Sequence, residues 1–347
     1  MIIALIFQVN IYSQEDFFEP KTVLGGYGEL HYNYEKIEKK QSNNILDFHR
    51  FVLFISHSWS EKWSFKAELE LEHNYVFDKL GELELEQAYV NYHHADWLGI
   101  KVGVVLPSVG LLNEYHEPPL FLSVERPEYH NKIIPTTWFG NGVSIYGNYK
   151  SLKYNLTIME GLNADKFSPS NGIRSGRQKG YKANADNLLY NLGIDYINIK
   201  DLLFGASLTY NNAFSDSVKN RLLLLESHIK YSSRKLIFIA EYGQINYEKG
   251  KVKTSSGYYV ELGYNFGSIL DISTRIIPFI RYTNYNTAAS VRTADFFNHS
   301  YQVSKWMVGL SVKPIDEVVF KIDMSKKSFG RDEIKSNLFN LGIGYMF

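Results

Sequence analysis

From Thr22 onward the chain repeats one kind of segment, about ten to fourteen residues long, in which apolar and polar side chains alternate. Sixteen such segments fall near 22–34, 46–58, 63–76, 82–93, 98–106, 141–149, 152–162, 188–199, 202–213, 221–232, 235–247, 257–267, 272–286, 301–313, 317–327 and 337–347. A period of two sends successive side chains to opposite faces, so each segment reads as a strand, and no amphipathic helix competes with them. The links alternate too. After every even segment up to the fourteenth comes a tight turn, such as Lys150-Ser151, Lys200-Asp201 or Pro314-Ile315-Asp316. After the odd segments the links are mostly longer, the largest being Pro107 to Gly140 and Asn163 to Asn187.

Two architectures accommodate many strands without helices. Strands of a soluble sandwich are usually ~5–6 residues, whereas a tilted membrane strand needs ~9–11. The segments fit the second length. The expected fold is therefore all-β: a transmembrane antiparallel β-barrel of about sixteen strands, with short periplasmic turns and long extracellular loops. Closure follows from the solvent, because an open sheet edge in hydrocarbon would leave backbone donors and acceptors unpaired. An even count also puts both termini on the periplasmic rim.

The faces separate along several strands. Phe65, Ala67, Leu69 and Leu71 oppose Lys66, Glu68, Glu70 and Glu72; Trp306, Val308, Leu310 and Val312 oppose Lys305, Met307, Gly309 and Ser311. The first set of each pair suits lipid and the second an aqueous lumen. Tyr34, Tyr149, Tyr196, Tyr210, Tyr231, Tyr247 and Tyr285, near strand ends, suit interfacial girdles. Pro278 inside the thirteenth strand removes a ladder donor, which predicts a bulge or a displaced strand.

Composition narrows the partners. Acidic and basic residues balance at 37 each, giving no electrostatic reason to expect nucleic acid. With no cysteine there are no disulfides or thiolate metal sites. The opening MIIALIFQVNIYSQ reads as a shortened signal peptide over residues 1–13, lacking a positive n-region, with a single barrel domain over 14–347. A buried strand is the other reading of that stretch. Nothing later approaches the ~18 apolar residues of a spanning helix.

Sixteen strands leave room for water inside, so diffusion of small hydrophilic solutes is the expected function. Selectivity then rests on loops and wall charges. The stretch from Pro107 to Gly140 holds five of the nine prolines and is apolar and aromatic, which predicts a loop folded into the barrel. Its Glu114, His116, Glu117, Glu125, Arg126, Glu128, His130 and Lys132 are the candidate constriction residues. A solvated external loop held by its prolines is the alternative. On the wall, KAELELEH and GELELEQ bring Glu68, Glu70 and Glu72 beside Glu82, Glu84 and Glu86, facing the lumen together if the hairpin loop is odd in length, with Glu72 opposite Glu86. Arg50, Lys66, Lys101, Arg275, Arg281, Lys305 and Lys321 are available to answer them. The arrangement predicts either a transverse field with cations favoured on the acidic wall or a structural ladder of ion pairs. The later loop DKFSPSNGIRSGRQKGYK is basic and reads as a solvated surface loop or one that meets anionic lipid or solutes.

Enzyme signatures are missing. GVSIYG is not a nucleophile elbow, and His228 and His299 have no evident partner. His116, Glu117 and His130 are too loosely spaced on a Pro-rich loop to define a metal site, and no cofactor is expected.

The stretch DFHRFVLFISHSWSEKWSFKAELELEH, then GELELEQAYVNY, then GIKVGVVLPSVGLLNEYHEPPLFLSVERPEYHNKIIPTTW and SIYG, resembles Bacteroidetes outer-membrane proteins of the phosphate-selective porin O and P type. The similarity covers about residues 25 to 150, with the remainder matching only by barrel pattern. It implies a sixteen-stranded, usually trimeric porin in the outer membrane of a Gram-negative cell, in contact with lipid and lipopolysaccharide. It does not carry phosphate selectivity across, since the matching strands are rich in Glu rather than in Arg and Lys. A non-conducting barrel serving as adhesin or anchor is the alternative, ahead of a membrane hydrolase. A plugged transporter would need ~22 strands. Finally, NLGIGYMF closes the chain as a strand with Tyr345 and Phe347 on its large face; a terminal Phe there resembles the signal read by the barrel-assembly machinery.

Overall fold

The computed structural model describes residues 18–77, 80–216, 219–293, 301–330 and 334–347, so the stretch read as a signal peptide and His299 lie outside it. The alternation becomes sixteen strands among the described residues: β1 Lys21–Ile37, β2 Ser42–Ser58, β3 Trp63–Phe77, β4 Leu80–Ala95, β5 Leu98–Val105, β6 Gly140–Tyr149, β7 Leu152–Met159 and β8 Leu189–Ile199. The second half comprises β9 Leu202–Ala213, β10 Asn220–Ser232, β11 Leu236–Tyr247, β12 Val252–Tyr264, β13 Arg275–Val291, β14 Gln302–Ile315, β15 Val318–Phe329 and β16 Ile334–Met346. Each pairs antiparallel with its neighbours in sequence, and β1 pairs with β16, so the sheet closes into a barrel. No helix among the described residues is long and apolar enough to cross a membrane.

The faces fall where alternation puts them. Leu69, Val260, Leu262, Trp306, Val308, Phe320 and Met324 are exposed on the outside, while Glu68, Glu70, Glu261, Lys305, Lys321 and Asp323 are buried inside. A continuous apolar exterior on this scale requires a nonaqueous solvent. Around the turn rim, Trp59, Trp63, Trp97, Tyr149 and Phe347 remain exposed as an aromatic belt. Tyr247 and Tyr285 do not belong to any girdle. They share parity with buried Ile245 and Thr283, face inward, and bond Ser255 and Glu128 respectively.

Closure depends on the last residues. Phe347 donates its N–H to the Gly26 carbonyl at 2.9 Å and accepts from the Gly26 N–H at 3.0 Å. A Cβ on Gly26 or Gly28 would strike the Phe347 or Tyr345 ring, at 2.9 and 2.8 Å, so these glycines let both rings lie flat over β1.

Three local expectations change. Pro278 needs no bulge, because β13 pairs in continuous register with β14 and its ladder with β12 stops at Gly263–Phe279, one residue short of the proline. The turn predicted at 268–271 is a longer link, 265–274, containing a 3-10 turn at Phe266–Ser268. The links after β1 and β11 are short, because their strands run on. The 17-residue strands β1, β2 and β13 are roughly 55 Å long, which at a tilt of about 40° still rises well beyond an apolar band of about 25 Å.

Candidate pore-lining site

The segment between β5 and β6 does not sit outside the barrel. Its base is clasped by Asn113, whose amide donates to the carbonyls of Pro107 (2.8 Å) and Trp138 (3.0 Å) while its oxygen accepts the Trp138 N–H at 2.7 Å. From that clasp the chain crosses to the far wall, where the Val124 N–H donates to Asp323 of β15 at 2.8 Å. It then returns through a single helical turn, α1 (Tyr129–Lys132). Val109, Tyr129, Ile133, Ile134 and Trp138 pack in an apolar core with Leu189, Leu222, Leu224, Ile239, Ile245 and Tyr259 from β8 to β12. The lumen wall from β8 to β12 is thus used as a hydrophobic seat, a role invisible to a reading that assigns inward faces to water.

The eight loop candidates divide by what they meet. Glu114 accepts from Asn155 of β7 at 2.9 Å and from Ser108 at 3.2 Å. His116 lies between two carboxylates, Glu86 at 3.2 Å and Glu68 at 3.5 Å. Burial works against its charge, but those two acids raise its pKa to about 10. His130 donates to Glu241 of β11 at 2.8 Å, and the same carboxylate accepts the Leu111 N–H and the Tyr259 hydroxyl. Glu125 accepts from His31 (2.9 Å) and Asn33 (3.0 Å) of β1. Glu128 meets Lys305 at 3.2 Å, Lys327 at 3.0 Å and the Tyr285 hydroxyl at 2.8 Å. Burial penalises the Glu128 charge, yet the two ammonium groups pull its pKa down to about 2. Arg126 bonds the Thr137 hydroxyl and the His116 carbonyl. Lys132 bonds Ser170 and Asn171 of the next long loop. Glu117 has a buried oxygen without a hydrogen-bond partner. His116, Glu117 and His130 do not converge, since the two histidines face opposite walls.

The acidic hairpin has the expected parity and a different register. Glu72 stands opposite Glu82, not Glu86, and Glu70 opposite Glu84. The ladder shifts between Glu68 and Leu69, so Glu86 and Gln87 both end up buried beside Glu68. Five of the six hairpin glutamates have a cation: Arg50 reaches Glu70 at 3.6 Å as well as Glu29 of β1 at 2.6 Å, His116 serves Glu68 and Glu86, and Lys179 bonds both Glu82 and Glu84, while Glu72 has no ion pair among the described residues.

The other basic candidates are scattered. Arg281 pairs with Glu261 of β12 and Arg275 with Asp316 at the turn rim. Lys66 lies over Phe54, Lys101 between the rings of Tyr89 and Tyr146, and Lys321 over Phe121 of the loop at 3.6 Å. His228, expected to be alone, has both ring nitrogens against carboxylates, Asp195 at 3.0 Å and Glu226 at 2.9 Å.

Sequence reasoning did not place the second long loop. Arg174 and Arg177 reach back to carbonyls of residues 135–137, and Lys179 reaches the hairpin, while Lys166 and Lys182 stay exposed. Their basic run was the available signal. The space left open toward the long-loop rim is a vestibule of about 510 Å³, bounded by β1 to β3, β14 to β16, the loop and Arg174 of the second long loop.

Residues 25–193 match the sequence model of the family described as phosphate-selective porin O and P. An uncharacterized protein of Aquifex aeolicus (strain VF5) is 31% identical over 349 aligned positions, covering 93% of this chain and 79% of the relative. The chain belongs to the phosphate-selective porin O and P family. It is an outer-membrane porin of a Gram-negative cell, a diffusion channel by family. Solved structures agree on the fold. The anion-selective porin from Comamonas acidovorans superimposes with a TM-score of 0.66 at 11% identity, over 95% of this chain and all of that one. Salmonella typhi OmpF, solved with daunomycin, gives 0.66 at 12% identity over 94% of this chain and 97% of the other. The outer-membrane channel DcaP of Acinetobacter baumannii gives 0.60 at 11% identity, again over 94% and 97%.

Proposed function

We propose that this porin passes small hydrophilic solutes with a preference for anions, along a route restricted by residues 107–140. The carrying observation is how the vestibule's charges are spent. Its lining holds six basic side chains (Arg50, Arg126, Lys132, Arg174, Lys305 and Lys327) against four acidic ones (Glu35, Glu72, Glu125 and Glu128). Arg126, Lys132 and Arg174 direct their hydrogen bonds to carbonyls, a hydroxyl and an amide, so no carboxylate neutralises them by direct contact. Five of the six hairpin glutamates, by contrast, already have cations bound to them, Glu72 being the exception among the described residues. A cation-favouring acidic wall therefore gives way to a basic mouth. Within the loop, Glu125, Arg126, Glu128 and Lys132 line the vestibule and are the proposed constriction charges, while Glu114, His116 and His130, together with Glu128, act as anchors.

One of the structures with this fold, OmpT of Vibrio cholerae, is recorded in a trimer form, and a homotrimer of this porin is part of the proposal. So are recognition of Phe347 by the barrel-assembly machinery and contact of the exposed Lys166 and Lys182 with lipopolysaccharide.

Reversal potentials across a salt gradient in planar bilayers test the central claim. Wild type is expected to be anion-selective, and Arg126→Gln with Arg174→Gln should move it toward cations. A cation-selective wild type, or no stepwise conductance at all, would overturn it; the second result would favour a non-conducting anchor.

A further inference from the structure

We propose that Asp47, His49 and His73 form a binding site for a borderline divalent cation such as Zn²⁺, on the inner wall near the long-loop rim. Three clusters of histidines and carboxylates among the described residues bring their ligand atoms within 4.8 Å of one another. Two of them have structural work. In the first, His31 uses both ring nitrogens on Glu29 and Glu125 and is buried; in the second, Glu68, Glu86 and His116 form the closed latch between loop and hairpin. The third is open to water. The His73 side chain is 45% exposed, and those of His49 and Asp47 are each 21% exposed.

Two departures from regular strand geometry build this cluster. Along β2, Arg50 pairs with Glu29 and Phe48 with Leu30, leaving His49 as the extra residue of a bulge. That bulge lets His49 and Arg50, adjacent in sequence, both line the vestibule. On β3, Glu72 already faces inward, so regular alternation would send His73 outward. His73 instead has φ +53°, the left-handed region, and its ring comes back to Asp47. Both Nδ1 atoms converge on the same oxygen, Asp47 Oδ2, at 3.2 Å from His49 and 2.8 Å from His73. Around tetrahedral zinc, with bonds of ~2.0–2.2 Å, neighbouring ligand atoms are about 3.3 Å apart. Small side-chain shifts would open the cluster around an ion and leave the fourth position to water. Two imidazoles with one carboxylate favour zinc and its neighbours over calcium or magnesium. His31, stacked on His49 with centroids 4.9 Å apart, holds that ring in place.

The test uses the whole barrel, folded in detergent and titrated with ZnCl₂ by calorimetry, with metal analysis after desalting. One Zn²⁺ per chain is expected, and Ca²⁺ should not compete. His49→Ala and His73→Ala should each weaken binding by at least about tenfold, with heat-modifiable migration retained as evidence of a closed barrel. If either alanine variant fails to fold, His49→Gln and His73→Gln, which keep a polar side chain of similar size, take its place. His57→Ala, at the opposite end of β2, should bind like wild type. Absence of zinc binding overturns the proposal. So does binding that survives both substitutions, or that is lost only on His31→Ala or His116→Ala.

Discussion

Glu128 illustrates how one side chain links the loop to the wall. Its carboxylate neutralises Lys305 and Lys327 from adjacent strands while accepting from Tyr285. Glu128→Gln leaves two buried or half-buried ammonium groups facing each other, so the anion preference should rise and the loop should loosen. Reversal potential and open-channel noise measure the two effects. Protonation does the same reversibly. The folded pKa, about 2, lies below the ordinary 4.5, so the stabilisation is complete above 4.5 and disappears as pH falls toward 2. His116 has the opposite sign. Raised from 6.5 to about 10, it stabilises fully below 6.5 and loses that contribution as pH climbs through 10. The loop should therefore be held best between pH 4.5 and 6.5. Channel noise rising on the acid and alkaline sides of that window would be the signature; a noise level flat from pH 3 to 10 would count against both anchors.

At the scale of elements, alternation made strand number and facing legible, because period two is a property of each segment alone. Register was less so. Parity predicted that all six hairpin glutamates share a face, but a partner is chosen by where the turn closes and where bulges fall, and Glu72 met Glu82. The inward course of the long loop could be anticipated from its apolar character and prolines. Its counter-surface could not, since Leu189, Leu222, Leu224 and Ile239 look like any inward strand residues until the loop packs on them. The clasp at Asn113 was equally hidden: one Asn in an apolar stretch gives no hint that it joins both ends of the loop, Pro107 and Trp138. Asn113→Ala removes three hydrogen bonds at a fully buried position. At about 1 kcal/mol each, and more where a carbonyl is left unpaired, this should destabilise the loop by roughly 3 kcal/mol. Faster proteolysis within 107–140 with an intact barrel is the expected result; unchanged protease resistance would show that the apolar seat alone suffices.

For the whole molecule the decisive contact is the seam. Between β1 and β16 the chain must join residues 299 to 319 positions apart, and in hydrocarbon any unpaired pair of strand ends is costly. Phe347 contributes to the seam in two separable ways. Its backbone makes the last two hydrogen bonds to Gly26, and its ring lies over the Gly26 backbone, stacked near Phe51 with centroids 6.1 Å apart. Phe347→Ser removes the ring and keeps the backbone pair. If the aromatic is chiefly an assembly address, this variant should reach the membrane in lower amount, yet the barrels that do assemble should melt near the wild-type temperature in a heat-modifiability assay. Deleting Tyr345 to Phe347 removes ring and hydrogen bonds together, and should lower both yield and melting temperature. Gly28→Val, which leaves the terminus intact but fills the space beneath Tyr345, should lower the melting temperature with little loss of recognition. Equal losses of yield and stability in all three variants would mean that assembly simply tracks the strength of the seam, with no separate address in the terminal ring.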